Sequence, residues 1–131
     1  MCQSTKIEFL RRFCDEFHAA APMSFWDATE DELRRAYNGI GPERWPLWIR
    51  NLITALLRPF QAAAFVHDWE FSLPEKTFGR FTMANLRLAQ NVAREAIYDC
   101  RPFMIFAGIP IAALCELFGW NAFKTGKLRD D

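Results

Sequence analysis

Apolar positions recur along this chain at steps of three and four residues, and strict alternation is scarce, so the pattern predicts helices and no sheet. Ile7, Leu10, Phe13, Cys14 and Phe17 form one stripe, with Arg11, Arg12, Asp15 and Glu16 outside it. Ala20 to Pro22 is expected to end that helix. A second helix begins near Asp27 or Thr29, where Asp27 with Glu30, or Thr29 with Glu32, offers a capping box, and it stops at Asn38-Gly39. Residues 38–42 follow as a loop. From Trp45 the positions Trp45, Trp48, Ile49, Leu52, Ile53, Leu56 and Leu57 keep a helical period, with Arg50, Asn51, Thr54 and Arg58 opposite. Pro59 can open a further helix without losing a hydrogen bond, and that helix runs over 60–71 until Ser72 to Lys76 breaks it. A long pattern over 78–98 presents Phe81, Asn85, Leu88, Val92 and Ala96 on adjacent turns, and Arg101-Pro102 closes it. Residues 103–120 pack last as a hairpin or broken helix, and the polar stretch 124–131 frays.

With 131 residues, these elements make one all-α domain, a small bundle of five or six helices. Half of the residues are hydrophobic (51%) and 24% are charged, which excludes a disordered chain. Thirteen Phe and five Trp exceed ordinary usage and can fill a core or coat an interface. Sixteen basic and sixteen acidic side chains cancel, which removes the attraction that drives nucleic-acid binding, so nucleic acid is excluded as a partner. Cys2, Cys14, Cys100 and Cys115 have neither a zinc spacing nor the density of a secreted disulfide scaffold, and read as small buried hydrophobes in a reducing compartment. No secretory signal is expected, because the N-terminus runs straight into a charged amphipathic segment. Pro110 and Glu116 interrupt the most apolar run, 103–117, which falls short of the roughly 20 residues a bilayer needs. The expected location is cytoplasmic or virion-associated, with no transmembrane helix.

The candidate chemistry lies in residues 63–71, where His67 and Asp68 set an imidazole beside a carboxylate on an apolar helix. Desolvation and the neighbouring charge pull the pKa of such a histidine in opposite directions. His18 borders the first apolar stripe and is given no role beyond packing or exposure. Calcium takes six to eight hard oxygens, which Asp68 and the carbonyls of a loop bent at Gly39 and Gly41 can begin to supply. His67 can then deprotonate a water while a metal polarises an ester carbonyl. Plainer roles stand beside these: His67 as a core histidine on a backbone carbonyl, Asp68 as a surface acid, and the glycines as a helix cap and turn. Trp45 and Trp48 fit either a core stripe or an interfacial face.

The segment Phe65-Val66-His67-Asp68 resembles the active-site helix of phospholipase A2 enzymes, and Tyr37 to Pro42 looks like their glycine-rich calcium loop, in the family's order. Small phage and prophage proteins with a glycine loop, a tryptophan-bearing helix and a His-Asp-aromatic motif are the nearest likeness, over about 37–91. The resemblance implies calcium held by Asp68 and by carbonyls near Asn38, Gly39 and Gly41, with His67 as general base. A phospholipid or membrane surface is the implied partner. Where the family has an aspartate to orient the base, this chain offers Asn85, with Asn91 two turns later; an asparagine fixes the tautomer but brings no charge. Phe71 replaces a tyrosine, and Ala63, Ala64 and Glu70 replace cysteines. These departures imply weakened activity and set a second expectation beside the first: a non-catalytic phage accessory or assembly protein that uses the fold for protein contacts.

Overall fold

A computed structural model describes residues 3–37 and 46–127. Among them lie eight α-helices and no strand: α1 (Gln3–Glu16), α2 (Met23–Asp27), α3 (Glu30–Ala36), α4 (Leu47–Leu57), α5 (Gln61–Ser72), α6 (Phe78–Tyr98), α7 (Gly108–Phe118) and α8 (Trp120–Thr125). A 3₁₀ segment, Pro102–Ala107, leads into α7. The all-α class is as the periodicity predicts. The helices outnumber the five or six expected because α2 and α8 are short pieces and the region 103–120 is divided at Gly108 and Gly119.

Two apolar layers meet on α5. Ala62, Phe65, Val66 and Trp69 pack with Ile7, Phe25 and Leu33 from α1 to α3, while Ala63 and Ala64 pack with Ile53, Leu88 and Ile111 from α4, α6 and α7. A helix covered on both sides shows little amphipathic contrast, and its polar residues must find partners inside the protein. His67 and Glu70 find them on α6. Ala63 meets Glu95 near one end of the pair, and His67 and Glu70 meet Asn85 and Arg87 nearer the other, so α5 and α6 run antiparallel.

Several helix ends depart from the expected ones. The first helix stops at Glu16, ahead of Ala20, because His18 takes a left-handed conformation (φ 58°). Ala19 N donates to Cys14 O at 2.9 Å and His18 N to Asp15 O at 3.2 Å, the two bonds of a Schellman cap. Cys100 (φ 59°) ends α6 in the same way, with Arg101 N on Ala96 O at 2.8 Å. Of the two possible capping boxes, Thr29 with Glu32 is the one formed, and α3 stops at Ala36 with Tyr37 as its cap.

On α4 the apolar stripe splits. Ile49, Ile53 and Leu57 are core, whereas Trp48 is 64% exposed and Leu52 41%. Trp48 is therefore surface; Trp45 lies outside the described residues. No described helix is long and apolar enough to cross a membrane. One close approach matters for the site: a Cβ added to Gly108 would lie 2.7 Å from the Ala89 backbone, so the bare α-carbon lets α7 start directly against α6. Two turns later α7 delivers Glu116 to the same helix.

Candidate functional site

His67 is buried on α5, and its Nε2 lies 2.9 Å from Asn85 Oδ1 on α6. Asn85, itself buried, donates through Nδ2 to Glu116 Oε2 at 2.8 Å, and Thr82 Oγ1 donates to Glu116 Oε1 at 2.7 Å. A carboxylate oxygen only accepts, so Glu116 fixes which end of the amide is NH₂. The amide oxygen is thereby turned to the imidazole, and Nε2 must carry the ring proton. The lone pair is left on Nδ1, which has no hydrogen-bond partner among the described residues.

Burial lowers the His67 pKa from 6.5 to about 4, against the opposing pull of the Asn85 bond. The ring is neutral at pH 7, oriented and able to accept a proton, though weakly basic. Its surroundings are largely aromatic: the Phe71 ring lies 4.1 Å away between centroids, and Phe71 packs in turn on Phe81 and Phe123. Only 8% of His67 is exposed. Its partner is a side-chain amide, not the backbone carbonyl of the plainer reading.

Asp68, the next residue, is partly buried. Tyr37 has its pKa raised by burial and by the Asp68 charge; Cys115 is pushed up to about 12 by burial, with Asp68 and Glu116 adding. Tyr37 also donates to Gln61 Oε1 at 2.8 Å and packs edge-on against Phe65, so the chain leading into the glycine loop is fastened along α5. Asn38, Gly39 and Gly41 lie outside the described residues. Among the described residues no group of three or more His, Cys, Asp or Glu side chains is placed to hold a metal. Asp68 is a hard donor suited to calcium, and a full set there needs main-chain oxygens of the kind the resemblance assigns to 38–41.

Asn91 does not belong to the site. Its amide pairs both ways with Ala20, accepting from N at 2.7 Å and donating to O at 2.8 Å, which clamps the α1–α2 connection to α6. Two acids that sequence reasoning did not assign matter more. Glu116 is the lone acid of an apolar run, and a charge there signals a buried partner. Glu95, 3% exposed, accepts from Ala63 N at 3.1 Å and so caps α5 from α6; burial raises its pKa from 4.5 to about 7.

Compared with protein-family models, with curated proteins and with solved structures, the chain matches none.

Proposed function

We propose that this chain is a weakly active ester hydrolase of phospholipase A2 type, of phage or prophage origin, with His67 as the general base. The observation that carries this reading is the bond from His67 Nε2 to Asn85 Oδ1 across antiparallel helices, continued to Glu116. The acid that the family pattern sets beside the histidine is here one residue further away, and the amide between them passes on orientation and a share of the charge. In the reaction His67 takes a proton from water at Nδ1 while Nε2–H stays on Asn85, and the Asn85 dipole with the Glu116 carboxylate stabilises the imidazolium. A base of pKa about 4 makes for slow hydrolysis at neutral pH. Asp68 with the carbonyls of Asn38, Gly39 and Gly41 would hold calcium, which would supply a Lewis acid for the ester carbonyl. Exposed Trp48 and Leu52 on α4 give a face suited to phospholipid. The free thiols of Cys14, Cys100 and Cys115 suit a cytoplasmic or virion-associated protein.

The test pairs calorimetric titration of calcium into wild type and Asp68→Ala with hydrolysis of a short-chain phosphatidylcholine by wild type and His67→Gln. Calcium heat lost in Asp68→Ala and hydrolysis lost in His67→Gln are expected. No calcium heat in the wild type, or a hydrolysis rate indifferent to His67, overturns the reading.

The burial of His67 against Phe71 favours a second reading, a non-catalytic accessory or assembly protein in which the His67–Asn85–Glu116 chain fastens three helices. Under it His67→Gln lowers stability and no ester is cleaved by either form.

A further inference from the structure

Beside this site, and lined by neither His67 nor Asn85, a cavity of about 260 Å³ opens between α2, the end of α5 and α6. Glu70 stands in its wall, 6% exposed, with Oε1 held by Arg87 and Oε2 buried without a hydrogen-bond partner. A buried carboxylate oxygen left unpaired costs free energy; it is closed to water in the free protein, so a donor in the cavity becomes its partner once the Glu70 carboxyl turns toward it. Arg80 also lines the cavity, its Nε on Glu75 Oε2 at 2.9 Å, which leaves further guanidinium N–H groups for an anion. The lining thus holds two acids, Glu70 and Glu75, and two bases, Arg80 and Arg87. A ligand carrying net charge would unbalance this set, whereas one with both signs matches it. The remaining wall is largely apolar, with Leu73, Pro74 and Met83. The volume falls below the range of about 300–1,000 Å³ that holds drug-sized molecules, and suits something of amino-acid size.

We propose that this cavity binds a small zwitterion, an α-amino acid with an apolar side chain. Its ammonium group donates to Glu70 Oε2 as the carboxyl turns into the cavity, its carboxylate meets Arg80, and its side chain rests on Leu73, Pro74 and Met83. The proposal is independent of hydrolysis at His67.

Amide ¹H–¹⁵N spectra of the whole chain, titrated with L-leucine, L-methionine and L-valine, test it. Isoamylamine, which lacks the carboxylate, and 4-methylpentanoate, which lacks the amine, are the controls. Saturable shifts at Ser24, Leu73 and Met83 are expected with at least one amino acid, and weaker ones with either control. Glu70→Gln and Arg80→Gln should each raise the Kd by about tenfold or more, as loss of a charge-assisted contact does. Met83 is 46% exposed, so Met83→Trp keeps the fold and closes the cavity, and it decides the matter even where a Glu70 variant fails to fold. No saturable shift with any of the three amino acids, shifts that persist in Met83→Trp, or isoamylamine binding as tightly as leucine overturns the proposal.

Discussion

Asn85 accepts from His67 and donates to Glu116, a pair of roles that an ionised carboxylate in its place cannot combine. An aspartate at the same position cannot donate, and would set two carboxyl groups within hydrogen-bond distance of each other. Such a pair holds one proton between them, with one pKa strongly raised. Asn85→Asp should therefore destabilise the protein at neutral pH by about 2 kcal/mol. The double variant Asn85→Asp/Glu116→Gln restores a donor to the chain, recovers most of that loss and raises the His67 pKa above its present value of about 4. Denaturant unfolding with a histidine NMR titration checks both; a single variant as stable as wild type would mean that Glu116 does not hold the amide. Two buried groups also set an opposed pH dependence. His67 keeps its folded pKa below the unfolded one, so its contribution is intact above pH 6.5 and is lost as pH falls from 6.5 to about 4. Glu95 is raised from 4.5 to about 7, so its contribution is intact below pH 4.5 and is lost as pH rises to about 7. The two slopes offset each other in wild type. Unfolding measured across this window should show stability falling with pH in His67→Gln and rising in Glu95→Gln, and parallel slopes in the two variants would contradict the assignment.

Helix ends are where the fold was least readable from the residues. The apolar period located α1, α4 and α6, because burial of one stripe is what drives each of them to pack, whereas α5, covered on both sides, was bounded by Pro59 and the break at 72–76. The stops of α1 and α6 carry no glycine: His18 and Cys100 occupy left-handed positions that a side chain resists by roughly 1–2 kcal/mol. Without that signal, Ala20 to Pro22 and Arg101-Pro102 looked like the terminators. His18→Gly and Cys100→Gly should each stabilise the protein by about 0.5–1 kcal/mol, read as a raised midpoint in thermal or denaturant unfolding. A lowered midpoint in both would show that these side chains hold the caps rather than strain them. Gly108 works in the opposite sense. Gly108→Ala forces α7 away from the Ala89 backbone and should cost about 1–3 kcal/mol while loosening the Asn85–Glu116 bond.

In the assembled molecule α5 lies between two apolar layers, and its His67 is held by α6 and, through Asn85, by α7. The His67–Asn85 pairing was expected from the resemblance, which sets an orienting residue on the helix antiparallel to the histidine's; α5, apolar on both sides, carries no stripe that points to α6. Glu116 was not expected, since its place depends on α7 folding back on α6 across 31 residues of chain, a packing outcome that periodicity does not encode. The exposure of Trp48 was equally hidden, as an apolar stripe does not announce which of its edges will be covered. Asn91 shows how residue type alone fails to assign a role: it shares the helix and the amide of Asn85, yet its amide serves the Ala20 backbone. One directed chain of hydrogen bonds runs from α7 through α6 to the imidazole on α5. Nitrogen-15 NMR of the His67 ring, followed through a pH titration, reads that chain directly. The expected spectrum is a neutral ring protonated at Nε2 that holds down to about pH 4. A ring protonated at Nδ1, or one that titrates near 6.5 as an exposed histidine does, would contradict it.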